Sequence, residues 1–155
     1  MKTTTELLSL LVLALLLSCQ QEVSEESKTF DKQMKETIRI HDDVMPQMSK
    51  INSLITELEA QKTELEQAEE VDAERVELHE NAIANLKDAH DLMMSWMKNF
   101  SDSFSRTEIN SGLETTDKDS INAKLQLLDT QYASAEAMQK SIAEAIKNAQ
   151  VVLSK

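Results

Sequence analysis

Two segments of the chain concentrate histidine and methionine, whose side chains could do chemistry together. One segment is residues 41–48 and the other is residues 90–97. Imidazole nitrogen and thioether sulfur suit Cu(I), and histidine with methionine also ligates haem in some helical bundles. Within each segment the candidate metal ligands are spaced by three or four residues: His41, Met45 and Met48 in the first, and His90, Met93 and Met97 in the second.

A second interpretation of these residues is packing in the protein core. Methionine fills irregular gaps between helices, and a histidine on an apolar face is usually a hydrogen-bonded packing residue. His79 shares the apolar stripe of His90 but lies about three turns away, so we place it outside any such site. The chain has no Cys-x-x-Cys-His motif for attaching haem. Two alternatives stay open: a copper or haem site, or no cofactor.

Hydrophobic periodicity predicts the elements that position these residues. Apolar residues at alternating steps of three and four indicate helices at about 28–68, 72–104 and 117–153. If the chain reverses near residues 69–70, residue i of the first helix lies opposite roughly residue 139−i of the second. This register brings the two histidine- and methionine-rich segments into one layer. Pro46 has no N–H to donate to the carbonyl of Asp42, so we expect a kink there.

Capping residues mark where these helices begin. Asp72 suits the N-cap of the second helix, and Thr116-Asp117-Lys118-Asp119 resembles a capping box that opens the third. The segment 105–116 between them holds the only glycine, Gly112, and is predicted as a loop.

Composition favours an all-α fold. The chain contains one glycine, one proline and 3% aromatic residues, too few for the turns and packed faces of a sheet protein. We therefore predict an antiparallel three-helix bundle, similar to a coiled coil, over residues 28–155.

The net charge of −12 argues against binding to nucleic acid or anionic lipid head groups. Glycine-rich phosphate loops and the motifs Gly-x-Ser-x-Gly and His-Glu-x-x-His are missing, so we do not expect an enzyme.

Residues 1–18 have the layout of a secretory signal peptide. Their apolar run is shorter than the roughly 20 residues that a membrane-spanning helix needs. Leu16-Leu17-Ser18-Cys19 resembles the lipobox of bacterial lipoproteins, in which the matching cysteine is acylated and becomes the mature N-terminus. Cys19 is the only cysteine, so it has no partner in the chain for a disulfide. The alternative is an ordinary signal peptide followed by a chance cysteine.

Residues 19–27 have no apolar period and are predicted as a lipidated acidic tether. Gln20 is not the aspartate that favours inner-membrane retention of enteric lipoproteins. The segment 20–26 resembles the acidic tether that sends Bacteroidota lipoproteins to the cell surface. We expect an outer-membrane lipoprotein, on either the periplasmic or the surface face.

The run 41–48, together with Met93-Met94-Ser95-Trp96-Met97, resembles a group of small Bacteroidota lipoproteins that often carry the label "viral A-type inclusion protein". The resemblance implies lipidation and a helical fold, and it brings no activity or residue roles. We expect a non-enzymatic, lipid-anchored envelope protein that acts as a scaffold or binds an unidentified envelope protein. The alternative is an envelope protein that binds copper or haem through the histidine and methionine layer.

A possible modification site lies near the start of the third helix. Asp119-Ser120-Ile121 resembles the short O-glycosylation site of exported Bacteroidota proteins. Asp119 and Ser120 are also common residues at a helix start. Ser120 is therefore a candidate glycosylation site with a simpler structural alternative.

Replacing the predicted lipid-attachment residue tests the export prediction. The Cys19→Ala protein has no thiol to acylate, so it should lose its association with membranes. The measurement is incorporation of labelled fatty acid, combined with fractionation of the cells. Label in the Cys19→Ala protein, or free release of the wild-type protein into the medium, would contradict lipidation.

Overall fold

The computed structural model describes residues 24–155, and this part of the chain is all-α. It forms five helices, which are α1 (Glu25–Val44), α2 (Gln47–Glu66), α3 (Ala73–Ser103), the short α4 (Arg106–Ser111) and α5 (Lys118–Leu153). Between residues 24 and 155 there is no strand, and no helix there has the length and hydropathy needed to cross a membrane. The predicted signal peptide, Cys19 and the tether up to residue 23 lie outside the described residues.

Helices α1 and α2 form the first leg of an antiparallel three-helix bundle, α3 the second and α5 the third. Helix α5 packs against all the other long helices, and α2 also packs against α3. Gln33 on α1 bonds to Asp129 on α5, and Val44 lines a cavity with Ile142, so α1 and α5 run in the same direction. Helix α3 runs the opposite way. The predicted fold class is confirmed.

The first leg is interrupted at Met45 and Pro46, where the sequence predicts a kink. Pro46 has no N–H, so the carbonyl of Asp42 loses its helical partner. The N–H of Met48 instead bonds to the carbonyl of Met45 at 3.2 Å. The predicted single helix over 28–68 is therefore two helices.

Helix α1 begins earlier than predicted, because residues 25–27 belong to its first turn and not to the tether. The Ser24 hydroxyl accepts a hydrogen bond from the N–H of Ser27 at 3.1 Å. Glu25 and Glu26 follow, where negative charge favours the positive end of the helix dipole. Hydrogen bonds from the backbone and from Ser24 lower the pKa of Glu26.

The caps of α3 and α5 are both aspartates. Asp72 accepts a hydrogen bond from the N–H of Arg75 at 3.0 Å, which confirms its predicted role. Helix α5 is capped by Asp117, whose carboxylate accepts from the Ser120 hydroxyl at 2.6 Å and from the Ser120 N–H at 2.9 Å. These two bonds lower the pKa of Asp117. The predicted capping box at Thr116 is therefore wrong by one residue.

The segment predicted as a loop, 105–116, contains a helix. Helix α4 opens with a capping box in which Ser105 accepts from the N–H of Glu108 and Glu108 accepts from the N–H of Ser105. Gly112 ends this helix at φ 83°, a conformation that favours glycine. A Cβ on Gly112 would also collide with the carboxylate of Asp31 on α1.

The core runs along one face of each long helix. All three legs contribute fully buried side chains, among them Phe30, Ile51, Leu58, Leu86, Met93, Leu128, Met138 and Ile142. The bundle is therefore held together by one continuous apolar core.

Shortening a core leucine tests this assignment. Leu86 and Leu128 are both 0% exposed. Leu86→Ala and Leu128→Ala each leave a cavity and should lower the free energy of unfolding by about 2–5 kcal/mol. Lys140→Ala is the matched surface control, because the Lys140 side chain is 77% exposed, and it should stay within about 0.5 kcal/mol. Urea unfolding followed by circular dichroism measures all three, and equal effects would contradict the core assignment.

Candidate functional site

The six predicted metal ligands are divided between the core and the surface. Met48 and Met93 are buried, with 8% and 0% of their surface exposed. Met45 and Met97 are 40% and 37% exposed, and the two histidines are partly exposed. The structure therefore places four of the six residues where solvent reaches them.

Between Met34 and Met48, which are buried as the apolar periodicity predicts, the first leg buries residues one position before the predicted ones. The predicted stripe passes through Ile38, His41 and Met45, but the core takes the residue before each of them: Thr37, Ile40 and Val44. Thr37 tolerates burial because its hydroxyl donates to the backbone carbonyl of Gln33 at 2.8 Å.

Helix α3 shows the same offset at two of its three predicted ligands, while the third, Met93, lies in the core. Ala89 and Trp96 are buried, whereas the predicted residues His90 and Met97 follow them and lie beside the core stripe. A helix in a three-helix bundle has two neighbours, so residues beside its core stripe lie against one neighbour and remain partly exposed. The offset therefore moves the predicted site from the interior to the surface between α1 and α3.

An aromatic column separates α1 from α3. The His41 ring stacks on Trp96 with ring centroids 5.9 Å apart, and Trp96 stacks on Phe100 at 5.0 Å. Phe104 continues the column at 5.2 Å from Phe100 and meets Phe30 of α1 edge-on at 6.0 Å. Aromatic pairs of this kind stabilise the folded state by more than the burial of their apolar area alone.

A cavity of about 330 Å³ opens beside this column on the solvent side. It is lined by residues of α1, α3 and α4: Ile38, His41, Asp42, Trp96, Met97, Phe100, Ile109 and Asn110. Its lining is mostly apolar, with an imidazole and a carboxylate at one edge.

Exposed methionines extend this apolar surface beyond the cavity. Met45 lies one turn after His41, and Met94 lies one turn before Met97, so each is on the side of its helix that carries a cavity-lining residue. Met45 and Met94 are each 40% exposed. We refer to the cavity together with Met45 and Met94 as the α1–α3 groove.

Helix α4 closes one end of the α1–α3 groove, because Ile109 and Asn110 belong to it. Its anchor is Glu108, whose carboxylate accepts from the Ser105 N–H at 2.7 Å and pairs with Lys124 of α5 at 2.8 Å. Burial raises the pKa of Glu108, but the hydrogen bonds from Lys124 and Ser105 outweigh burial and hold the pKa below its ordinary value. The ionised carboxylate therefore fastens α4 to the bundle.

The third histidine of the chain, His79, is a packing residue. It is 1% exposed. Its Nδ1 lies 2.8 Å from the carbonyl oxygen of Arg75, and its Nε2 lies 3.1 Å from the side-chain oxygen of Gln61. Both ring nitrogens have protein partners, which fits the prediction that His79 lies outside the site.

Ser120, the candidate glycosylation site, is exposed in the first turn of α5. Its hydroxyl donates to Asp117, and the next residue, Ile121, is 1% exposed. The structure thus shows the helix-start role of Ser120, and its glycosylation stays a prediction.

Within residues 24–155, no group of three or more histidine, cysteine, aspartate or glutamate side chains is placed to hold a metal ion.

Comparison of the chain with protein-family models, curated proteins and solved structures found no match. The resemblance to small Bacteroidota lipoproteins therefore stays a prediction.

Acid should loosen α4 before the rest of the bundle. The folded-state pKa of Glu108 is lowered, so its contribution to stability is present above its ordinary value of 4.5 and is lost as pH falls through the lower folded pKa. We expect the protection of residues 105–112 against hydrogen exchange, measured relative to the intrinsic exchange rate at each pH, to fall over that range below pH 4.5 in the wild-type protein. Glu108→Gln, which cannot ionise, should exchange faster at neutral pH and show less further change in acid. Identical acid profiles for the two proteins would contradict this role.

Proposed function

We propose that this chain is a non-enzymatic, lipid-anchored envelope protein whose helical bundle binds a helix of another envelope protein in the α1–α3 groove. The observation that carries the proposal is the set of three exposed methionines, Met45, Met94 and Met97, beside an open apolar cavity.

The shape and chemistry of the groove fit a helical partner. It lies between two helices and follows their axes, as in complexes where an amphipathic helix occupies an apolar groove. Methionine side chains adapt to the partner's surface because they are unbranched and polarisable. The buried indole of Trp96 lines the cavity together with Met97.

The negative charge of this protein indicates which residues should flank the apolar face of the partner helix. The chain has a net charge of −12. Asp42 lines the cavity with 67% of its side chain exposed, and Asp91, next to His90 on α3, is 82% exposed. A partner helix with basic residues at its flanks would complement these carboxylates and associate faster for that reason.

The proposed anchor and location rest on the sequence. A lipid on Cys19 would hold the protein at a membrane, and the acidic segment 20–26 supports the outer membrane as its location. The tether is shorter than predicted, because residues 25–27 belong to α1. The bundle would therefore stay close to the lipid surface, where its partner would be another envelope protein.

Site-specific photo-crosslinking in the native cell envelope tests the proposal. A photoreactive amino acid at position 97 or 45 of the full-length protein should give an adduct with the same partner, because both positions belong to the groove. The same probe at Lys140, which is 77% exposed on α5, is the control and should not give that adduct. The crosslinked partner peptide should be an amphipathic helix with basic flanks.

Two results would overturn the proposal. One is the absence of any adduct from both groove positions in cells that produce the folded protein. The other is the same adduct from position 140, which would mean contact without a specific surface. Loss of the adduct in the Cys19→Ala protein would additionally support the lipid anchor.

A further inference from the structure

The chain contains the same five-residue pattern twice, once on each side of the α1–α3 groove. His41-Asp42-Asp43-Val44-Met45 ends in the break after α1, and His90-Asp91-Leu92-Met93-Met94 lies on α3. Both have the form His-Asp-x-x-Met. Residues four apart in a helix are neighbours on one face. Each pattern therefore presents an imidazole and a thioether side by side.

Both histidines are oriented by the carboxylate of the next residue. Nδ1 of His41 lies 3.0 Å from Oδ1 of Asp42, and Nδ1 of His90 lies 3.4 Å from Oδ1 of Asp91. In the tautomer that carries its proton on Nδ1, this nitrogen donates to the carboxylate and the lone pair of Nε2 is left to bind a ligand. Histidines that bind metals commonly have such a carboxylate behind them.

The two patterns lie at nearly the same height along the antiparallel helices. The stacking of His41 on Trp96 shows that these two positions are level. Residue 45 is then level with residue 92, and His90 and Met94 each lie two residues from that level, about 3 Å along the axis. His41 lies one turn from Met45, about 6 Å along α1. The four donors thus lie within about 9 Å of one another along the helix axes.

We propose that the two His-Asp-x-x-Met patterns form a surface site for Cu(I). Met45, Met94 and His90 are its central ligands, and His41 is a further donor beside Trp96. Met48 and Met93 take no part, because they are buried in the core. This inference goes beyond the proposed partner binding and does not depend on it.

The donor types select a soft monovalent ion. Thioether sulfur and imidazole nitrogen suit Cu(I), whereas carboxylate and carbonyl oxygen suit Mg²⁺ or Ca²⁺. The exposed carboxylates of Asp42 and Asp91 add a favourable potential for a cation without needing to coordinate it. We therefore expect preference for Cu(I) or Ag(I) over Zn²⁺.

The first test uses the full-length protein in detergent under reducing, oxygen-free conditions. Competition for Cu(I) against the chromophoric chelator bicinchoninate should show one ion bound per chain. Trp96 is the only tryptophan, so Ag(I), a Cu(I) substitute, should quench its fluorescence and saturate at one equivalent. Zn²⁺ at the same concentration should do neither. Failure of Cu(I) to compete, or equal binding of Zn²⁺, would overturn the proposal.

Neighbouring methionines provide the matched variants. Met94→Leu removes an exposed proposed ligand, whereas Met93→Leu removes a buried thioether at the adjacent position. Met94→Leu, Met45→Leu and His90→Gln should each weaken Cu(I) binding more than the roughly ten- to hundred-fold loss expected when an orienting carboxylate is removed, as in Asp91→Asn. Met93→Leu should leave the affinity unchanged.

The controls distinguish a lost ligand from a lost fold. Circular dichroism should show the same helix content in all these proteins, because leucine replaces a methionine of similar volume. Equal losses of affinity in Met93→Leu and Met94→Leu would overturn the surface site. The adduct formed from position 97 should persist in cells treated with a Cu(I) chelator, since partner binding does not require the ion. The two proposals can therefore fail separately.

Discussion

The packing of the Trp96 indole between the three legs determines the shape of the bundle. Its ring fills the space between α1 and α3 and is stacked on His41 and Phe100, while its N–H donates to the carbonyl of Gln131 on α5 at 3.2 Å. Helix α5 approaches both legs closely, whereas α1 and α3 have the aromatic column between them. A bundle with one wide interface has a groove along it. The α1–α3 groove is therefore a consequence of how the core is filled.

Hydrophobic periodicity could predict the number, order and directions of the three legs, because each carries a clear apolar stripe. It could not predict which of two adjacent stripes faces the centre. Hydropathy ranks Ile38 and Met45 as core residues and Thr37 as a surface residue. The structure buries Thr37, because the hydroxyl bonds within its own helix and the side chain is small. Large side chains such as Met45 are left for the wide interface, so four of the six predicted ligands lie beside the core and not within it.

Local chemistry predicted a kink at Pro46, where the structure has a full break, and the cap at Asp72, since each depends on a single residue and its immediate neighbours. Helix α4 was missed, although Ser105 and Glu108 have the spacing of a capping box. A helix this short gains little from its own hydrogen bonds. Its position depends on the ion pair between Glu108 and Lys124, which joins residues that the sequence does not show to be close. Contacts between residues far apart in the sequence decide where such short helices lie, and hydrophobic periodicity does not reveal these contacts.

The two proposed activities use overlapping surfaces, and this constrains how they could act together. A partner helix in the groove would cover the thioethers of Met45 and Met94, which an ion needs. An ion bound between them would join α1 to α3 and reduce the negative potential that attracts a basic partner. Both effects favour mutual exclusion. Because linkage is reciprocal, any factor by which Cu(I) weakens partner binding must equal the factor by which the partner weakens Cu(I) binding. The bundle would then report copper to its partner through one surface, without a change of fold.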